Sequence, residues 1–226
     1  MKRAFDVIVA SLALLVLGLP LLAIAIAVRL DSNGPALFRQ IRIGRFGRPF
    51  RILKFRTMVH GQASNGGITV SLDDRITRLG RFLRATKIDE LPQFINVLRG
   101  EMSIVGPRPE VPGFVERYSE ENRRIVLSVR PGLTDFASIA YIRETELLAA
   151  QNDPLTYYER VVMPNKLAYC RFYVRHACLP LDLYLIARTA VALAKEAVAR
   201  RSRVKRLRCP ERGPFPQTPG VDRENR

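Results

Sequence analysis

The sequence predicts an α+β fold, mostly helical, carried on an apolar N-terminal membrane helix. Three features lead there: a long charge-free run near the N-terminus, a basic segment broken by glycines that reads as a small β-hairpin, and a succession of amphipathic segments with helical period. A chain of 226 residues suits one catalytic domain of moderate size with attachments, and 47% apolar residues suffice for a core.

Residues 7–28 form the charge-free run, 22 residues long. As a continuous helix it would measure roughly 33 Å at about 1.5 Å per residue, enough to cross a bilayer. Lys2 and Arg3 before it, and Ala25-Ile26-Ala27 within it, imitate a signal peptide. The run is long for such an apolar region, however, and the rest of the chain lacks paired cysteines. Pro20 lies inside the run, where it removes a backbone hydrogen bond and disfavours a straight helix. Basic residues flank both ends, with Arg29 and a dense stretch from Arg39 on the far side, so charge bias sets no orientation. Two arrangements stay open: a simple span, or a helix–break–helix dipping into one leaflet with both ends on the cytoplasmic side.

Residues 31–35 are a turn cluster that ends the membrane segment. From Arg39 to Lys54 a basic residue recurs at every third position, and Gly44, Gly47 and Pro49 exclude a helix, which leaves two short strands joined by a glycine turn. This ribbon is either solvated or a collar for phosphates, with Lys54 and Arg56 suited to the second role. Residues 62–74 read as a polar loop. Residues 76–84 and 88–99 read as helices, the second with apolar residues at 88, 91, 94, 95 and 98 and a stop at Gly100. Residues 103–109 run from a short extended piece into a proline-fixed turn. Residues 114–129 suggest a charged surface helix, 130–134 a loop and 136–141 a strand. Segments 165–178 and 181–198 are amphipathic helices whose apolar stripe fits either a membrane interface or packing on the core. From Arg200 onward nine Lys/Arg, three acids and four prolines predict a basic disordered tail. The chain thus divides into an anchor at 1–31, a catalytic domain at 32–199 and a tail at 200–226.

The net charge of +16 attracts polyanions, among which nucleic acid, anionic lipid and nucleotide-sugar phosphates all qualify. Cys170, Cys178 and Cys209 form no CxxC pair and leave one over, which argues against a disulfide framework or a zinc site. Two histidines, His60 and His176, are too few for a histidine-based metal site.

The segment from Thr86 to Phe94 carries the chemistry. Thr86 followed by Asp89 resembles a capping box, and Pro92 belongs in a first helical turn, so Asp89 and Glu90 are expected at a helix N-terminus. A carboxylate held ionised there can ligate magnesium or attack phosphorus, although capping alone explains the same pattern. Arg84 precedes the pair by about one turn, and Arg108 sits between two prolines that hold its guanidinium at low entropic cost. Two carboxylates, several arginines and a divalent cation make a phosphoryl-transfer constellation. No Walker loop, GxGxxG or HExxH competes with it.

At this point the chain resembles a known family. LFRQIRIGRFGRPFRILKFRTM, DDRITRLGRFLRATKIDELPQFINVLRGEMSIVGPRPE and VRPGLTDFASI, after an apolar N-terminus, resemble the bacterial sugar transferases called monotopic phosphoglycosyl transferases, over roughly residues 1–195. The resemblance implies transfer of a sugar-1-phosphate from a UDP-sugar to polyprenol (undecaprenyl) phosphate, the first membrane step of a glycan assembly pathway such as exopolysaccharide. Asp89 would be the nucleophile that forms a phosphosugar-aspartyl intermediate and binds Mg2+, and Glu90 its partner. Arg84, Arg108 and Lys54 would meet substrate phosphates. It further implies a re-entrant N-terminal helix hairpin broken at Pro20, interfacial amphipathic helices against membrane lipid, and residence at the cytoplasmic face of the bacterial inner membrane. No nucleic-acid partner is implied, and a homo-oligomer is compatible with it. The family's TGWAQ reads Thr134-Asp135-Phe136-Ala137-Ser138 here, so sugar specificity does not transfer, and Leu19 stands before Pro20 where some members carry a small polar residue. The rival reading is a non-catalytic membrane-surface adaptor that binds anionic lipid or nucleic acid, for which Asp89 and Glu90 merely cap a helix.

Overall fold

The computed structural model describes residues 1–59 and 75–208, with side chains to residue 199. Lys2–Asp31 form a single helix, α1, and its 30 residues give it a length of about 45 Å. Pro20 lies inside α1, and helix runs on either side of it. Proline deletes one bond of the ladder, and the leucine-rich turns on either side keep theirs.

Both ends of α1 dock on the rest of the chain. At the N-terminal end Lys2 Nζ lies 2.6 Å from Asp182 Oδ2, and Arg3 donates to the carbonyls of Val97 (2.6 Å) and Leu98 (3.0 Å). Buried Asp6 accepts from Ser103 Oγ and from the Ile104 N–H, the latter at 3.0 Å. At the C-terminal end the Arg56 guanidinium donates to the carbonyls of Val28 (3.0 Å) and Pro35 (2.7 Å) and to Ser32. Between these moorings Leu12, Leu15, Val16, Leu19 and Leu22 are exposed.

The expected hairpin is present. Strands β1 (Leu37–Ile43) and β2 (Pro49–Phe55) pair antiparallel, Leu37 opposite Phe55, across a 3-10 turn at Arg45–Gly47. Helix α2 (Arg78–Thr86) starts at Thr77, whose Oγ1 accepts from Gly80 N at 2.9 Å. The single helix expected over 88–99 is instead a 3-10 turn, Ile88–Glu90, followed by α3 (Gln93–Arg99) with Pro92 as its N-cap. Asp89 and Glu90 therefore precede α3 rather than open it, and the Thr86–Asp89 capping box does not form. Thr86 still belongs to α2, and its hydroxyl bonds back to the carbonyls of Phe82 and Leu83. Gly100 ends α3 in the left-handed conformation, as expected.

Beyond α3, β3 (Ser103–Val105) pairs in parallel with β4 (Gly132–Thr134), which occupies the stretch expected as a loop. The surface helix expected at 114–129 is two helices, α4 (Pro112–Val115) and α5 (Glu120–Val126), because Ser119 caps a new start by accepting from Asn122 N. The strand expected at 136–141 is a helix, α6 (Phe136–Ala140), since Asp135 Oδ1 accepts from Ser138 N at 2.6 Å. Helices α7 (Glu144–Ala149) and α8 (Pro154–Tyr157) and a π-helical turn (Tyr158–Val162) lead into α9 (Met163–His176) and α10 (Leu179–Arg208). Because α10 continues past residue 199, residues 200–208 are helical rather than part of an irregular tail. The expected loop at 62–74, His60, Cys209 and the tail from 209 lie outside the described residues.

Ala10, Ile52, Val97, Val105, Tyr173 and Leu185 form the main core, which joins α1, β2, α3, β3, α9 and α10. A second core around Phe114, Leu148, Tyr158, Val162 and Leu167 supports the far side. The amphipathic stripe has a share in both alternatives left open by the sequence. Leu167, Tyr173 and Leu185 point into the cores, whereas Tyr169, Phe172, Leu183, Tyr184 and Val191 stay exposed.

Candidate active site

Between these cores opens a cleft of about 1030 Å3, and the five residues singled out from the sequence all line it: Lys54, Arg84, Asp89, Glu90 and Arg108. They arrive from β2, α2, the 3-10 turn and the turn after β3, segments up to 54 residues apart (108 minus 54). Pro20 is the exception among the singled-out residues, because it sits within α1, outside the cleft lining.

Two buried side chains outside the five singled out, Asn96 and Asp135, hold the pieces in register. Asn96 accepts from Leu53 N (3.0 Å) and donates to Arg51 O (2.8 Å) and Glu101 Oε2 (2.6 Å), which locks α3 to β2 beside Lys54. Asp135 accepts from Arg108 N at 3.2 Å while capping α6, and so fixes the turn that bears Arg108. That turn also needs glycine. A Cβ on Gly132 would stand 2.1 Å from Gly106 N, and one on Gly106 would stand 2.5 Å from Arg130 O. The two backbones cross in contact, with Gly132 N donating to Pro107 O at 2.9 Å. Asp135 had a readable signal, since Asp is among the preferred N-cap residues. Asn96 had none in sequence spacing.

The adjacent carboxylates meet opposite environments. Glu90 is clamped: Oε2 accepts from Arg108 Nη1 at 3.0 Å, Oε1 accepts from Arg108 Nη2, and Lys54 Nζ donates to Oε1 at 2.9 Å. Burial alone would raise its pKa, but Arg108 and Lys54 outweigh that and hold the carboxyl well below the usual range. Glu90 in turn raises the pKa of Arg108. Burial, aided by Arg108, draws the Lys54 ammonium below its ordinary value against the pull of Glu90.

Asp89 is 7% exposed, and its Oδ1 is buried with no hydrogen-bond partner. Burial first, then the charge on Glu90, raise its pKa, partly offset by Lys54, Lys87 and Arg84. Arg84 lines the same cleft and donates from Nε to Thr57 Oγ1 at 2.7 Å. Arg56, which the sequence grouped with Lys54, is committed to the end of α1 and is absent from this charge cluster's bonds.

This arrangement offers one buried oxygen with free lone pairs beside a carboxylate that organises two cations. No three His, Cys, Asp or Glu side chains cluster as a metal cage among the described residues. Magnesium commonly takes only one or two carboxylates, with phosphate oxygens and waters completing its shell. The Asp89 carboxylate, which no described residue bonds, fits that donor set.

A family model described as bacterial sugar transferase matches residues 1–196. The chain is 47% identical over 146 residues to the UDP-glucose:undecaprenyl-phosphate glucose-1-phosphate transferase of Caulobacter vibrioides, covering 63% of this chain and 54% of that protein. It is 40% identical over 189 residues to the Klebsiella pneumoniae protein of the same name, covering 82% of this chain and 38% of the relative. To the UDP-N-acetylgalactosamine-undecaprenyl-phosphate N-acetylgalactosaminephosphotransferase of Aeromonas hydrophila it is 40% identical over 146 residues, covering 62% of this chain and 34% of the relative. The chain thus spans between about a third and about half of these relatives' own length.

Proposed function

Because this chain belongs to the bacterial sugar transferase family, we propose that it moves a sugar-1-phosphate from a UDP-sugar to a polyprenol phosphate such as undecaprenyl phosphate. The products are UMP and a polyprenyl-diphosphate sugar, made in the first membrane step of a glycan assembly pathway. One observation carries the reading: Asp89 lines the cleft with a carboxylate that no described residue bonds, its Oδ1 buried, while its neighbour Glu90 is fully engaged by Arg108 and Lys54.

Asp89 is the nucleophile. Its free oxygen bonds to the sugar-bearing phosphorus as the bridging P–O bond of the diphosphate breaks, and that electron pair leaves on UMP. The polyprenol phosphate oxygen then attacks the same phosphorus, and the aspartyl–phosphorus bond breaks to return Asp89 as carboxylate. Both steps are displacements between oxyanions, so they call for positioning and charge neutralisation rather than proton transfer. Glu90 holds the Arg108 fork and the Lys54 ammonium in place, leaving their remaining N–H groups for phosphate oxygens. Asp89 would hold Mg2+, which when bound supplies neutralisation of the diphosphate charge.

The anchor follows from α1. With Lys2, Arg3 and Asp6 at one end and Val28 and Ser32 at the other docked on the same domain, a helix crossing to the far side is disfavoured. We place both ends at the cytoplasmic face of the inner membrane, with the bare stretch around Leu15 and Leu19 dipping into one leaflet and bending about Pro20. Phe172, Leu183 and Tyr184, exposed on α9 and α10, suit the interface. The adaptor reading gives no reason to bury an unpartnered carboxylate at a desolvation cost.

The relatives' names include both glucose and N-acetylgalactosamine donors, so the sugar is left to experiment. The test is UMP release from a panel of UDP-sugars with the purified chain, polyprenol phosphate and Mg2+. Turnover with one or more donors, abolished in Asp89→Asn, is the expected result. An Asp89→Asn variant with full activity would sink the mechanism.

A further inference from the structure

Among the described residues, two cations that line the cleft, Arg81 and Lys87, have side chains that make no hydrogen bond or ion pair, and Lys87 is the one that adjoins the turn carrying Asp89. Lys54 and Arg108 bond Glu90, and Arg84 bonds Thr57. Lys87 also lines the cleft, and its exposed ammonium makes no hydrogen bond or ion pair with any described residue. Its charge is near enough to act on both carboxylates, drawing the pKa of each downward.

The backbone at Lys87 gives an independent reason to look there. Its φ is 59°, the left-handed region, and Phe46 is the only other non-glycine residue with positive φ among those described. The chain needs that conformation to leave α2 and enter the 3-10 turn that carries Asp89 and Glu90. Glycine meets such a demand without strain and asparagine with little. A lysine there carries backbone strain that glycine would not. Strain kept next to a reactive group is a reason to test the side chain for a role.

We propose that Lys87 is a substrate-binding residue whose ammonium takes the diphosphate of the donor beside Asp89. This rests on the nucleotide-sugar reading given above. Glu90 fixes the guanidinium fork of Arg108 in one geometry, whereas Lys87 is a mobile point charge on a flexible stem. It can stay with the phosphate that gains charge as the bridging bond breaks, and it requires no reorganisation of the Glu90 clamp. The left-handed turn sets the root of that stem at the lip of the cleft.

The test uses the full chain in detergent with UDP as the probe. The UDP Kd is measured by calorimetry with Mg2+ at two salt concentrations, alongside thermal melting, for the wild type, Lys87→Gly, Lys87→Asn and Lys87→Arg. Glycine and asparagine accept the left-handed backbone, so their Tm should equal or exceed that of the wild type. Their Kd should rise about tenfold, the order expected for one charge-assisted bond, and should depend less on salt. Arginine should keep affinity within about threefold of wild type. Unchanged Kd in the glycine and asparagine variants, or a fall in Tm in both, would assign Lys87 to chain turning or packing alone and overturn the inference. Failure of the wild type to bind UDP at all would instead overturn the nucleotide-sugar reading, and this inference with it.

Discussion

Converting each of the two adjacent carboxylates to its amide should move the stability of the fold in opposite directions. Glu90→Gln removes the charge that balances Arg108 and Lys54, both partly buried, and leaves them facing one another without it. Breaking a buried ion pair by removing one partner costs about 3–5 kcal/mol, and the partial exposure of Arg108 puts the expected loss near about 2–3 kcal/mol. Asp89→Asn has the contrary effect, because the carboxylate oxygen it replaces is buried without a partner. Removing that charge should stabilise the fold by about 0.5–2 kcal/mol. In a chain of this size each kcal/mol moves the Tm by about 2–4 °C. The pH dependence separates the two further. The folded pKa of Asp89 is raised, so the folded state binds the extra proton and wild-type stability falls as pH rises from the unfolded value, about 3.9, through the folded one. The advantage of the Asp89→Asn variant is therefore absent in acid and complete above that window. Glu90 has a depressed folded pKa, so the stability it contributes is complete above its unfolded value, about 4.3, and is lost only as pH falls through the folded one. The deficit of the Glu90→Gln variant should stay flat from about pH 5 to 8. Thermal melts of the three proteins in metal-free buffer across that range measure both effects. A destabilised Asp89→Asn at pH 8, or a Glu90→Gln indistinguishable from wild type, would refute this account of the site.

Mg2+ should raise the Tm of the wild type and leave that of Asp89→Asn unchanged, since a ligand bound only by the folded state adds about 1.4 kcal/mol at ten times its Kd. Equal shifts in both proteins would place the ion elsewhere. Arg56→Ala removes the donors to the carbonyls of Val28 and Pro35 and to Ser32, and should cost about 2–4 kcal/mol. Hydrogen exchange should localise the loosening to residues 28–35, and a uniform rise along the chain would contradict the mooring role.

Local features were the legible ones. Gly44, Gly47 and Pro49 marked the hairpin turn, Gly100 the end of α3, and the period of the helices the amphipathic faces. Short elements set by distant partners were not. β3 and β4 are three residues each and pair across a connection that no spacing reveals. The apolar run after Asp135 has the composition of a strand, and one side-chain bond to Ser138 N turns it into helix. At the site, residue type was informative and partner was not. Lys54, Arg84 and Arg108 do line one cleft with Asp89, but two of them spend bonds on Glu90 rather than facing open space. That division follows from folding 54, 90 and 108 together, as does the distinction between Asp89 and Glu90. As residue types the two are interchangeable acidic neighbours, and only the resemblance to the family assigned them different roles. In the fold one is clamped and the other is left with a free oxygen.

That free oxygen is the centre of the account, and intact-mass spectrometry tests it most directly. The purified chain is mixed with a UDP-sugar that it turns over and Mg2+, without polyprenol phosphate, and quenched in acid. A covalent adduct of one sugar phosphate is expected, mapped by peptide analysis to Asp89, absent in Asp89→Asn and discharged when polyprenol phosphate is added before the quench. An adduct on Glu90, or full turnover with no adduct at any time, would contradict it.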